Sequence, residues 1–243
     1  MDGQHTTGVR VFTIANSTDV TLRNITVANG NFAGYGAGAN VAAGGSLTVE
    51  NSTFTGNGAT QDGGGLANLS GAATVTNCTF SKNSADGDGG GMYNLQSSPT
   101  LTNCTFSGND AADMGDGIRI YNSSITIRNC ILWGNQPEEI STGGSITYAV
   151  SYSDVQGGYP GIGNIDADPN FVDADNPDPN LVDLRLTLVS PCIDAADSTP
   201  LLNAGIIQDL DDLMRFTDID AAADTGTGVF PFTDMGAYEY NCS

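Results

Sequence analysis

The chain has 243 residues, with 7 Lys+Arg against 28 Asp+Glu and a formal net charge of -21. That balance excludes a nucleic-acid partner, because a phosphate backbone needs a basic surface, and it argues against an anionic membrane surface. No apolar run approaches the roughly 20 residues of a membrane span, and 32 glycines with only 14% charged residues favour strands and turns over long helices.

Read in chain order, the sequence repeats itself. Asn24-Ile25-Thr26-Val27 is followed by Asn51-Ser52-Thr53-Phe54, then Asn77-Cys78-Thr79-Phe80, Asn103-Cys104-Thr105-Phe106 and Asn129-Cys130-Ile131-Leu132. The later copies lie 26 residues apart, and Gly64-Gly65-Leu66, Gly90-Gly91-Met92 and Gly117-Ile118 recur in the same register. Ser151–Val155 is a degenerate last copy. Within a copy the apolar period is 2, with a break in phase at the Asn. We read three short strands and three turns per copy, with Ser81–Asp88 as a polar loop. One copy cannot bury its own apolar side, so the copies must stack.

The reading is therefore an all-β, right-handed parallel β-helix of about six coils over residues 1–158. Strand spacing makes it a rod of about 25–30 Å. Asn24, Asn51, Asn77, Asn103 and Asn129 are expected to form one ladder of side-chain amides, with left-handed backbone at each bend. Asn57, Asn83, Asn109 and Asn135 form a second. Phe54, Phe80, Phe106 and Leu132 stack as a core column. Cys78, Cys104 and Cys130 form a neighbouring column of buried free thiols, since stacked coils hold Cβ atoms about 4.8 Å apart, too far for a disulfide.

Residues 159–243 lose the period and carry 16 of the acidic residues with only Arg185 and Arg215 as counter-charge. An open β-helix end exposes strand edges, so this region is expected to be a cap packed on the helix end. Asp183–Leu188 and Met235–Tyr240 are candidate strands, Pro200–Phe216 a candidate short helix, Arg215 and Asp234 an ion pair, and Cys192 and Cys242 a candidate disulfide. Dense carboxylates suit Ca²⁺, a hard cation that takes six to eight oxygens. Candidate ligands are Asp166, Asp168, Asp173 and Asp175 in one cluster, and Asp209, Asp211, Asp212, Asp218 and Asp220 in another. Neither follows the EF-hand spacing, and turn formation is the competing role.

The repeated GG[L/M]…N-C-T-F-S-x-N pattern, carried by Gly64-Gly65-Leu66 with Phe80–Asn83 and by Gly90-Gly91-Met92 with Phe106–Asn109, resembles the repeats of polymorphic outer-membrane proteins. The later order Asp166-Ala167-Asp168-Pro169-Asn170-Phe171, Ser190-Pro191-Cys192-Ile193-Asp194 and Asp234-Met235-Gly236-Ala237-Tyr238-Glu239 is similar to the terminal module of "choice-of-anchor" β-helix proteins. The resemblance implies a monomeric, extracellular or cell-surface module of a bacterium, a fragment of a longer exported protein. Its implied roles are stalk, adhesin or glycan-contacting surface, with a glycan or another surface protein as partner.

Catalytic β-helices usually work on the face of the first strand of each coil. Here that face would gather Asp62, Asp86, Asp88, Tyr93, Asp110, Asp113, Asp116 and Arg119. These are the candidate ligand-binding residues, and Asp88, Asp113, Asp116 and Arg119 are the candidates for acid–base work in a glycoside hydrolase or polysaccharide lyase. The competing role for these carboxylates is turn capping and solubility. Ice binding is a remote alternative. It needs a regular outward T-x-T array, which Thr74/Thr76 and Thr100/Thr102 begin and Thr126/Arg128 interrupts.

Overall fold

A computed structural model describes residues 8–199, 208–215, 225–228 and 233–240. The chain winds into a parallel β-helix of six coils. The first sheet contains Phe12–Ile14, Ala39–Val41, Leu66–Leu69, Met92–Leu95, Ile118–Tyr121 and Ile140–Gly143. The second contains Asp19–Arg23, Ser46–Glu50, Ala72–Thr76, Thr100–Thr102, Ser124–Arg128 and Thr147–Ser151. The third runs from Thr26–Ala28 through Thr53–Thr55, Thr79–Ser81, Thr105–Ser107 and Ile131–Trp133 to Asp154–Val155. A fourth sheet of two-residue strands, Asn31–Phe32, Gly58–Ala59, Ser84–Ala85 and Asp110–Ala111, corrects the expectation of three strands per coil. It lies inside the stretch read as a polar loop, because two residues are too short to show a period.

Register follows the 26-residue offset: Thr79 pairs with Thr53 and Thr105, Phe80 with Phe54 and Phe106. The phenyl rings stack at 4.7 and 4.5 Å. Cys78, Cys104 and Cys130 are buried free thiols, as expected. The repeated glycine of the GG pair has a steric cause. A Cβ on Gly91 would lie 2.5 Å from the Gly117 carbonyl oxygen of the next coil.

The two asparagine columns behave differently. In the second, each side-chain amide donates to the next coil's side-chain oxygen: Asn57 to Asn83 at 2.9 Å, Asn83 to Asn109 at 2.9 Å and Asn109 to Asn135 at 2.8 Å. Each amide nitrogen also donates to a backbone carbonyl of the preceding coil, such as Asn109 to Phe80 O at 2.9 Å. The side-chain oxygens accept a further backbone N–H from the preceding coil. A chain of amides must end on an acceptor that needs no further partner. Glu139 supplies it, accepting from the Asn135 backbone N–H at 3.0 Å and from its side-chain amide.

All five asparagines of the first column have positive φ, from 47 to 55°. Their ladder is interrupted, however. Asn77 donates to Asn51 at 3.1 Å, but no hydrogen bond joins Asn77 to Asn103. The Asn77 amide turns instead to Gln208 O (2.8 Å), and Asn129 exchanges bonds with the Asp197 backbone at 2.9 and 3.0 Å. This column is the strip on which the C-terminal segment docks.

A further pair was not foreseen. Asn68 and Asn94 take the inward column of the first sheet that Ile14, Val41 and Ile120 fill elsewhere. Both are fully buried, and both amide atoms of Asn68 lack a protein partner.

Among the described residues, the C-terminal region caps the helix only at its start. Ile165 bridges to Asp154, and Tyr152 N–H donates to Ile162 O at 2.8 Å, closing the last coil. The chain then runs back along the outer face of the third sheet. Thr55 donates to Pro179 O at 2.7 Å, and Ala237 N–H donates to Thr105 Oγ1 at 3.0 Å. A second apolar cluster forms there from Ile131, Leu186, Cys192, Ile193, Ala195, Ala196 and Met235. Asp183–Leu186 is a strand, antiparallel to Phe171–Asp173. Met235–Tyr240 is not; Gly236, at φ +88°, lies so flush on the sheet that a Cβ would meet Thr105 Oγ1 at 2.7 Å and Ile131 Cδ1 at 2.8 Å.

Arg215 is fully buried under this segment and pairs with Glu239 at 3.4 Å rather than with Asp234. It also donates to the Gly236 and Ala237 carbonyls. Asp234 instead accepts from the backbone N–H groups of Asp194 and Tyr240. Cys192 is a free thiol that donates to the Asp154 carboxylate at 3.2 Å; its candidate disulfide partner, Cys242, lies outside the described residues. Of the candidate helix, Gln208–Arg215 is non-helical and the rest lies outside the described residues. Among the described residues no helix is long and apolar enough to cross a membrane.

Asn109→Ala strands donors and acceptors on three coils and is expected to cost at least about 3 kcal/mol in chemical denaturation. Asn68→Val matches its apolar column and is expected to stabilise by about 1 kcal/mol; a loss would show that the amide is satisfied in solution. Burial pushes Glu139 up to about 7 from 4.5 and Asp154 up to about 7 from 3.8. A raised folded-state value means the contribution is present below the unfolded value and is lost as pH rises through the folded one. The melting temperature is therefore expected to fall between about pH 4 and 7, and Glu139→Gln to flatten that slope.

Candidate functional site

The first-sheet face does bring several expected residues together. Tyr93 and Arg119 are register partners in its outward column. Arg119 is almost fully buried, donates to Ser141 Oγ at 2.8 Å and pairs with Asp88 at 3.3 Å. Asp62 accepts from the Asp88 backbone N–H at 2.9 Å. Burial raises the Asp62 carboxyl, and the charges of Asp88 and Asp113 raise it further. Burial, then Asp62 and Asp88, push the Tyr93 hydroxyl up to about 12. These residues share one field, but the arginine's charge is already engaged by its neighbours.

Asp116 departs from the set. It is 1% exposed and accepts from Ala111 N–H at 2.9 Å and Glu138 N–H at 3.0 Å, so it braces a turn. Asp110 sits in the fourth sheet, paired with Ser84, and Asp86 directly follows that sheet.

The candidate calcium ligands are spread among local tasks. Asp166 accepts from Gly157 N–H and Asp168 from Asn170 N–H. Asp173 accepts from the Asn176 amide, Asp209 from three backbone N–H groups, and Asp211 pairs with Arg185 at 2.6 Å. Asp218 and Asp220 lie outside the described residues. Among the described residues no three His, Cys, Asp or Glu side chains converge as a metal would require.

The second sheet carries Thr21, Thr48, Thr74, Thr100 and Thr126 in one outward column. The next outward column is Arg23, Glu50, Thr76, Thr102 and Arg128, so T-x-T occurs in two coils, as read from the sequence.

A groove that sequence reasoning missed lies between the third sheet and the returning segment. It has a volume of about 500 Å³. One wall is the corner of the coils, with Lys82, Gly108, Gly134 and the ring-bearing Trp133. The other is the Phe171–Asp173 strand with Asp168 and Asp175. Gln156 joins them, its side-chain oxygen held by Gly134 N–H at 2.8 Å, which leaves its amide nitrogen as a donor. The groove thus holds the chain's only Lys and only Trp. Lys82 has positive φ, 52°, and its stem lies against Gly108, where a Cβ would meet it at 3.1 Å. The mixture is an aromatic platform edged by amides, carboxylates and one ammonium, which is how polar small-molecule sites are built.

The sequence did carry a signal. Thr-Phe-Ser in the third-sheet strands becomes Ile131-Leu132-Trp133 in the fifth coil, so the outward positions turn apolar while the inward one stays so. The outward partners are the second core and the groove.

With this geometry in view, the chain belongs to a known family: the sequence pattern described as right handed beta helix region matches residues 3–158. No curated protein matches the chain, and no solved structure does.

The carboxylates separate by environment. Asp116→Ala strands two buried backbone donors and is expected to cost about 2 kcal/mol. Asp113→Ala, at an exposed site, is expected to stay within about 0.5 kcal/mol in the same denaturation assay.

Proposed function

We propose that this chain is a non-catalytic β-helix module that binds a glycan through the groove at Trp133, as part of a bacterial surface or secreted protein. One observation carries the reading. The only Trp and Phe171 line, together with Lys82, Gln156 and Asp168, one groove of about 500 Å³. Aromatic faces pack against the C–H side of a sugar, while amides and carboxylates take its hydroxyls. The composition of the coils, and the likeness of their repeats to those of bacterial surface proteins, support the setting. On the first-sheet face, Asp116 is buried and Arg119 is paired with Asp88, which favours binding over hydrolysis or elimination there.

Intrinsic fluorescence of Trp133, titrated with a panel of soluble oligosaccharides, tests the reading. At least one oligosaccharide is expected to shift the emission, and Lys82→Gln, followed by emission, and Trp133→Phe, followed by titration calorimetry, are expected to weaken binding by about tenfold with the fold intact. A panel that leaves the emission unchanged would overturn the glycan reading. Release of reducing ends or unsaturated products would overturn the non-catalytic one.

A further inference from the structure

Resting on that reading, we infer that the groove selects glycans carrying protonated amino sugars over neutral or uronate-bearing ones. Asp168, Asp173 and Asp175 stand on one wall and Lys82 alone stands opposite, so the groove is formally anionic. The walls come from different parts of the chain. Lys82 belongs to the coils, whereas the three carboxylates belong to the returning segment. A sugar on Trp133 therefore meets a cationic edge and an anionic edge at once.

The anionic wall repels a uronate and attracts a primary ammonium. Trp133 adds to the preference, since an indole face attracts a cation that a neutral hydroxyl or acetamide does not replace. Lys82 and Gln156 remain as donors for ring and hydroxyl oxygens. The wider field acts in the same sense, because a chain of net charge -21 steers cations to its surface.

That wider field is also the competing explanation, so the experiment separates it from the groove. Trp133 emission is titrated at about pH 5.5, where glucosamine amines are protonated. The three probes are a short glucosamine oligomer, its N-acetylated counterpart and an oligogalacturonate. The glucosamine oligomer is expected to bind at least about tenfold tighter than the other two, with a preference that shrinks as salt is raised. Asp173→Asn/Asp175→Asn is expected to abolish most of that preference, because the glucosamine oligomer's affinity falls much further than the neutral oligomer's. Asp19→Asn/Glu50→Gln removes the same charge from the second sheet and is expected to preserve the preference.

Equal or tighter binding of the N-acetylated oligomer or the uronate would overturn the inference while the glycan reading stands. So would an equal loss of preference in both double variants, which would assign it to overall charge. If none of the three probes moves the emission while another sugar of the wider panel does, the inference fails alone. If nothing in either set binds, both fail.

Discussion

The structure depends on the buried amide ladder of Asn57, Asn83, Asn109 and Asn135. At this corner the chain turns from the third sheet into the fourth, and the bend places backbone N–H and C=O groups inside, away from water. Each must be paired or lost at a cost of about 1–3 kcal/mol. An asparagine side chain has the donors and acceptor to serve its own coil and the next at once. Because every amide leans on its neighbour, the coils are locked in register. Glu139 ends the ladder, accepting from both the backbone N–H and the side-chain amide of Asn135. Burial raises its carboxyl, so the ladder's end is also a place where pH acts on stability.

Register, once fixed, decides what accumulates in columns. Phe54, Phe80 and Phe106 stack into the core, and three thiols stack beside them. The outer face of the third sheet becomes a strip of hydroxyls, with Ser81 donating to Thr55 at 2.9 Å. Such a strip has regularly spaced hydrogen-bonding groups and little apolar surface. The returning segment docks on it through backbone and side-chain bonds, then gains apolar burial only where Ile131 and Trp133 replace Thr and Ser. The D-x-G-A-Y-E element serves this docking. Gly236 permits close approach, and Glu239 and the Gly236 and Ala237 carbonyls hold Arg215. Breaking one partner of that buried pair leaves a charge without compensation, which is far costlier than the pair is worth.

The groove exists because two kinds of order meet. The coils supply a smooth wall by repetition. The segment that abandons the period supplies carboxylates and Phe171, which no coil position repeats. The first-sheet face, by contrast, is built wholly from repeated positions. Its acidic and basic groups largely answer one another: Arg119 with Asp88, Asp62 with the Asp88 backbone, Asp116 with two turn amides.

The sequence by itself determined what repetition controls. A constant offset brings like residues together in space, so the coil register, both asparagine columns, the phenylalanine stack and the unpaired thiols could be read from spacing alone. Only the tertiary structure decided the rest. Asn68 and Asn94 look like any polar strand residues until the coil closes around them. Asp116 and Asp113 differ by three positions and by burial, which no local pattern expresses. The pairing of Arg215 with Glu239 and the path of the C-terminal segment depend on contacts across more than 100 residues, such as Thr55 to Pro179. Those contacts follow surface complementarity rather than a period, and the groove at Trp133 lies between the two.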